Sequence, residues 1–294
     1  MLGSDFPTPF YLRGPVLVLG AGGRLGRMLC QYWPIDRDLI CQSRQPGVGG
    51  LLFDPLKDRD ALMKAAQGKR AVICLAGVVP RGPAEPSVDF AANSDLARVT
   101  VEAVKHAGCP RVFLASTAAI YGDQAGPLSE SAQALPCGAY GQSKLRMEEE
   151  AHAIAGAFGQ SVTSLRIANV AGADAILGGW HQGMQIDRMP DGSTPRRSYI
   201  GGASLAAMIC SLTRIPQVPP VLNLALAGAV EIGALLDAAG LPWTDRVAQK
   251  GVIPEVTLDM DLLGQVLGDP VPWVDPDKLI AEWRGGSNRR MRSI

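Results

Sequence analysis

Val16-Leu17-Val18-Leu19-Gly20-Ala21-Gly22-Gly23-Arg24-Leu25-Gly26 is an apolar run that breaks into a glycine cluster and continues as Arg27-Met28-Leu29-Cys30, which reads helical. A leucine and β-branched run of this kind suits a strand buried on both faces, and the glycines permit a tight turn into a helix start. Such a turn can bind phosphate. Gly20 would make the turn, Gly23 would let the backbone approach a pyrophosphate, and Gly26 would let the helix pack closely on the strand, with the anion at the helix N-terminus. Glycine makes up 34 of the 294 residues, so the spacing alone also fits a strand-to-helix turn that holds no ligand.

Downstream of the turn, strand and helix patterns alternate. Arg24 to Tyr32 read as a helix closed by Trp33-Pro34, and Leu39-Ile40-Cys41-Gln42 as a second strand followed by Ser43-Arg44. In a dinucleotide fold that strand end meets the adenosine ribose, where an acidic side chain would accept from the 2′-hydroxyl and repel a 2′-phosphate. Ser43 and Arg44 stand there instead. Arg44 can pair bidentately with a phosphate, which favours NADP over NAD, the alternative being an Arg44 turned to solvent. Leu51 to Asp54 read as a third short strand, Asp58 to Gln67 as a helix, and Ala71 to Gly77 as a fourth strand ending in small residues that leave room for a ligand. A Pro- and Gly-rich loop at 78–87, a long helix over 93–107 and a fifth strand over 111–116 follow. The alternation predicts an α/β fold with a doubly wound parallel sheet.

Composition fits a globular domain. The chain is 47% hydrophobic, with 28 basic and 28 acidic residues. The one basic cluster, Arg289-Arg290-Met291-Arg292, is terminal, so no extended nucleic-acid surface is expected. No apolar run reaches the roughly 18 residues of a membrane span, and Met1 to Asp5 lack the features of a signal peptide, so the expected location is the cytoplasm. The six cysteines are dispersed without a Cys-x-x-Cys pair, as expected of buried free thiols, and the three histidines show no metal-ligand spacing, so no metal is expected.

The chemistry falls just after the fifth strand. Ser116-Thr117-Ala118-Ala119-Ile120-Tyr121-Gly122 places two hydroxyls at a strand's carboxyl end, where open α/β sheets bind ligands. Further on, Tyr140-Gly141-Gln142-Ser143-Lys144 opens a helical run, with Tyr140 and Lys144 four apart on one face. A nearby ammonium favours a phenol's anion, so Lys144 is expected to lower the Tyr140 pKa and let the phenol exchange a proton with a substrate oxygen. Taken alone, the pair also fits an exposed helix face with an amphipathic tyrosine.

The order of glycine turn, hydroxyl-ended strand and Tyr-x-x-x-Lys resembles the short-chain dehydrogenase/reductase superfamily, and more narrowly its extended branch, the NAD-dependent epimerase/dehydratase family. The shared residues are Gly20 to Gly26, Leu75-Ala76-Gly77, Asn93, Ser116 to Gly122, Tyr140 to Lys144 and Leu165-Arg166-Ile167-Ala168-Asn169-Val170. The resemblance implies a catalytic Thr117, four residues before Tyr121, with Ser116 as the alternative holder of that role, acting with Tyr140 and Lys144. It assigns Gly20, Gly23, Arg24, Leu25, Gly26, Ser43, Arg44, Asp54 at the adenine, Leu75, Ala76, Gly77, Asn93, Tyr140, Lys144 at the nicotinamide ribose, and Ile167 to the cofactor. Asn169 and Arg197 correspond to residues that touch a substrate diphosphate, a loop hydrogen bond being the alternative for each. Pairing of two copies through the Asn93 and Tyr140 helices would resemble the family's dimers.

Departures count too. After Ile200 the family continues with an acidic pair at a helix start, whereas this chain reads Gly201-Gly202-Ala203-Ser204, leaving Ser204 as a helix cap. Ala118-Ala119 replace the acidic pair that the family's dehydratases carry after the catalytic Thr, which counts against water elimination. The expected layout is an extension at 1–14, a dinucleotide-binding domain at 15–170, and a mixed region at 171–294 that adds a compact substrate cap and the last sheet elements. In the cap, Trp180 and His181 are candidates to line the pocket, Val221 to Ala225 read as a strand, and Val230 to Ala239, 256–268 and Asp275 to Trp283 as helical regions. Three functions follow as expectations: Tyr-assisted hydride transfer at a secondary alcohol or ketone of a sugar or sugar nucleotide, reduction of a smaller carbonyl substrate with NADPH, or silent sensing of the dinucleotide.

Overall fold

Each apolar run of the first half forms a strand of one parallel sheet. The computed structural model describes residues 13–47, 50–80 and 89–290. Residues 1–12 of the expected extension, 81–88 of the expected loop and Met291 to Ile294 of the basic tail lie outside them. The strands are β1 (Val16–Leu19), β2 (Leu39–Ser43), β3 (Leu51–Leu52), β4 (Ala71–Cys74), β5 (Arg111–Thr117) and β6 (Ser161–Ile167), completed by Val221–Leu224 from the second half. Their order is Val221–Leu224, β6, β5, β4, β1, β2, β3. From β1 the chain winds outward to β3 and then returns to β4 on the other side of β1, so a crevice opens where these two neighbours part.

The alternation of side chains along each strand serves two cores. Val16 and Val18 pack with Ile73, Phe113 and Leu165 on one face, while Leu17 and Leu19 pack with Val72, Leu114 and Val162 on the other. Helices α1 (Arg24–Tyr32), α2 (Arg59–Ala66), α3 (Ala91–His106), α4 (Ala139–Phe158) and α5 (Gly202–Leu212) cover these faces, with α1 against α5 and α3 against α4. α2 starts one residue after Asp58, whose carboxylate caps it by accepting from the Ala61 backbone N–H at 2.9 Å.

Beyond β6 the chain builds short pieces. Asn169–Val170 pairs with Tyr199–Ile200, Gln185–Arg188 with Thr244–Val247, and Arg196–Arg197 with both Val230–Glu231 and Glu255–Val256. The expected helix from Val230 begins only at Ile232, because Val230 and Glu231 are drawn into that pairing; α6 covers Ile232–Ala238. Helices α7 (Asp261–Leu267) and α8 (Pro276–Arg290) complete the chain.

Ser204 does not cap α5 from outside, as the sequence suggests, but lies within it. Its cap comes from α8 instead: the Glu282 carboxylate accepts from the Ala203 and Ser204 backbone N–H groups at 2.9 and 3.1 Å and from the Ser204 hydroxyl at 2.6 Å. A side chain at 201 would collide with that carboxylate. The loss of a local acidic pair is thus offset by one carboxylate supplied from 78 residues away, at the helix end that favours negative charge.

Candidate active site

At the end of β1, Gly20 has φ +82, and a Cβ there would lie 2.6 Å from the Ala76 backbone nitrogen, so only glycine fits between β1 and the end of β4. A Cβ on Gly26 would overlap the Gly20 carbonyl and Ala21. The turn is tied down by Gln42, a buried residue of β2: its side-chain oxygen accepts from Gly20 N–H at 3.0 Å and its carbonyl from Ala21 N–H at 2.9 Å. No side chain caps α1, whose N-cap is Gly23, leaving its first N–H groups without a side-chain acceptor. Backbone with no room for side chains, beside an uncapped helix start, fits the pyrophosphate of a dinucleotide.

Around this turn, Leu75 and Ala76 are half-buried and Gly77 is exposed. Asp54 ends the β3 segment in a turn, its carboxylate accepting from Leu56 N–H at 3.1 Å. Ser43 is buried, with its hydroxyl accepting from Gln45 N–H at 3.1 Å, and Arg44 is exposed. Arg24 reaches the Ala173 carbonyl at 3.4 Å, and Leu25 packs against the core.

Asn93, expected at the cofactor, lies on α3 beside the loop after β4. It is buried and holds the loop after β4, accepting from Val78 N–H at 2.8 Å and donating to the Val78 carbonyl at 3.2 Å and to the Ser143 hydroxyl at 3.3 Å. A single amide side chain thus ties α3 to both the loop and α4.

Thr117 and Tyr140 meet across the end of β5. The phenol is buried enough to be pushed up to about 12, with a hydrogen bond to the Thr117 hydroxyl acting in the opposite direction. The Phe90 ring lies 5.8 Å from the Tyr140 ring, tilted by 55°. Lys144, one turn further along α4, is 4% exposed and donates to the Ala115 carbonyl at 2.8 Å. Burial lowers its ammonium to about 8, while Cys74 and Glu148 act to raise it. The expected lowering of Tyr140 by Lys144 is not seen: burial raises the phenol, the Thr117 bond is what opposes it, and the ammonium is directed to Ala115. Ser116 stands next to Thr117 but is buried, and its hydroxyl has no partner among the described residues.

A cavity of about 360 Å³ joins these groups to the cap. Thr117, Tyr140, Ile167, Asn169 and Arg197 all line it, together with Cys137, Ile253 and Val256. Arg197 is held from behind: its guanidinium donates to the Arg196 carbonyl at 2.7 Å and to the Ile253 carbonyl at 2.8 Å. Trp180 and His181 do not reach the cavity. The Trp180 indole donates to the Pro242 carbonyl at 3.2 Å and packs on the core, and His181 is exposed beside the Gln182 carbonyl.

A model of the NAD dependent epimerase/dehydratase family matches residues 16–188, more than half of the chain. The chain belongs to this family. Its relatives include the UDP-glucose 4-epimerases of Lacticaseibacillus casei, 33% identical over 40% of this chain and 31% of the relative, and of Streptomyces lividans, 28% identical over 55% of this chain and 54% of the relative. The matches thus span about a third to a half of those proteins. Among solved structures, a Stenotrophomonas maltophila UDP-glucose-4-epimerase with bound NAD and formylated UDP-arabinopyranose has a TM-score of 0.79 at 18% identity, covering 96% of this chain and 100% of the other. MoeE5 with UDP-glucuronic acid and NAD has a TM-score of 0.76 at 23% identity, covering 94% and 100%. At these identities the likeness is one of fold.

Two features of this family member escaped the sequence reading. Gln42 had a signal, a polar residue inside an apolar strand on the ribose side. Ile253 and Val256 had none, since the segment reaches the cavity only through the pairing of Glu255–Val256 with Arg196–Arg197.

Proposed function

We propose that this chain is an NAD-dependent enzyme that oxidises and reduces a secondary alcohol of a nucleoside-diphosphate sugar, with epimerisation as the net reaction. The observation that carries the proposal is that Thr117, Tyr140, Asn169 and Arg197 line one cavity. Thr117 and Tyr140 hold the reacting oxygen, and Tyr140 exchanges its proton through that hydrogen bond. NAD, when bound, supplies a hydride acceptor and donor and, in its oxidised form, a positive charge. Lys144 holds the ribose, while Asn169 and the back-braced Arg197 orient the diphosphate. Gly20, Gly23, Gly26 and the α1 start take the pyrophosphate.

NAD is the proposed cofactor rather than NADP. The support is the NAD in related solved structures together with an Arg44 that stands exposed and a Ser43 hydroxyl already engaged. A second reading, reduction of a smaller carbonyl compound, is favoured by the apolar Ile253 and Val256 wall and by the hydrogen bonds Arg197 already spends on backbone carbonyls.

The test is NMR of a UDP-hexose incubated with the protein and NAD. Appearance of the C4 epimer without net NADH formation supports the proposal. Net oxidation or reduction alone shifts it to the second reading, and no turnover of any UDP-sugar or carbonyl compound despite tight NAD binding overturns it in favour of a sensing role.

A further inference from the structure

Cys30 on the last turn of α1 and Cys41 on β2 are 11 residues apart in sequence, and their sulfurs lie 2.7 Å from each other. Both are half-buried free thiols, whereas Cys74, Cys109 and Cys210 are buried in the core and Cys137 stands on the cavity wall. Less than about 1 Å of sulfur movement separates the pair from the bonded distance of about 2.05 Å. We propose that Cys30 and Cys41 are a thiol–disulfide exchange site, which a soluble aliphatic disulfide converts to an intramolecular disulfide. This proposal stands apart from the reaction assigned above.

Cys41 is the attacking group. The hydrogen bond from Cys30 lowers its pKa, while Cys30 is raised by the same bond and by burial. The Cys41 thiolate attacks one sulfur of the small disulfide, forming a mixed disulfide and releasing one small thiolate. The Cys30 sulfur then attacks the Cys41 sulfur, forming the Cys30–Cys41 bond and expelling the second thiolate. The two protons of the protein thiols end on the two released small thiols, so the protein is oxidised by two electrons and the reagent reduced by two.

The bond would join the helix that leaves the glycine turn to the strand whose next residue, Gln42, fixes Gly20. It would act as a staple across the dinucleotide-binding unit, because a closed loop removes conformational freedom from the unfolded chain. No sequence signal marks this pair, since no Cys-x-x-Cys spacing is present and the contact is made only by packing α1 beside β2.

The experiment is to equilibrate the full chain with oxidised glutathione, alkylate the remaining thiols, map the peptides by mass, and measure thermal midpoints with and without dithiothreitol. The expected result is a Cys30–Cys41 linked peptide and a midpoint several degrees higher, both reversed by the reductant and both missing in Cys30→Ser and Cys41→Ser. Free alkylation of both residues would overturn the proposal. So would glutathione persisting on Cys41 without closure, or a linked peptide with no rise in midpoint.

Discussion

On the dinucleotide side of the crevice the shape is set by backbone, with Gly20 and Gly26 leaving no space for side chains and Gln42 pinning the turn through its amide. On the cap side the shape is set by side chains and two-residue strands, with Arg197 braced on carbonyls of residues 196 and 253 and the apolar wall supplied from residues 253 and 256. The first construction tolerates little change and serves a ligand common to a whole family. The second is assembled from distant segments and can vary without disturbing the sheet, which is where specificity is expected to reside. α4 spans the two, placing Tyr140 on the cavity and Lys144 beneath the end of β4, where a Cβ on Gly77 would come within 3.5 Å of its ammonium.

The sharpest way to break this division is at α4. Tyr140→Phe is expected to cost about 10²–10⁴ in kcat on a confirmed substrate while NAD affinity by calorimetry stays within a few-fold, since the proton-exchanging group is lost and the glycine turn is untouched. Equal activity would remove Tyr140 from the chemistry.

One turn beyond Lys144, Glu148 pairs with Arg166 of β6 at 2.9 Å, with side chains 4% and 7% exposed, and the Arg166 guanidinium lies 4.9 Å from the centre of the Tyr121 ring. Glu148→Ala leaves a buried cation unpaired and is expected to destabilise the protein by about 3–5 kcal/mol in urea denaturation. This pair ties α4 to β6 inside the protein, so the loss should appear in global stability.

On the cap side, Arg197→Ala is expected to raise KM for a UDP-sugar by roughly 10–100-fold with little change in NAD affinity, the scale of one charged hydrogen-bonding group. An unchanged KM would favour the smaller carbonyl substrate.

The pH dependence separates Tyr140 and Lys144, two of the titratable groups of α4. Lys144, lowered to about 8 by burial, sheds its proton in the folded state before it does so in the unfolded chain. Its burial penalty is therefore present below pH 8, and stability rises from about pH 8 toward its ordinary 10.5. Tyr140, pushed up to about 12, has the opposite effect: above about pH 10 the unfolded chain ionises first and stability falls. Urea midpoints across pH 7–11 should rise and then fall, and Lys144→Met should flatten the rise.

The smallest effect is expected at the rim. Arg44→Ala should change NAD affinity by less than about fivefold, because an exposed guanidinium contributes little. A selective loss of NADPH binding would instead restore the 2′-phosphate role that the sequence suggested.

Most of the sheet could be read in advance, because buried parallel strands show as short apolar runs and glycine turns show as glycine. β1, β4 and the helix carrying Tyr140 and Lys144 fall where the pattern puts them. The same reading misplaced Trp180 and His181, since proximity in sequence to the cap says nothing about which loop faces the cavity, and it overstated the effect of Lys144 on Tyr140, since spacing reports a shared helix face but not burial. By itself the sequence determined the parallel α/β fold and the glycine turn, each fixed by local pattern, and its resemblance to a family pointed to Thr117, Tyr140 and Lys144 as candidates. Only the tertiary structure decided that Thr117 and not Ser116 lines the cavity, that Glu282 caps α5, that residues 253 and 256 close the wall and that Cys30 meets Cys41. These contacts join segments far apart along the chain or depend on which face of a strand is covered, and packing alone sets both.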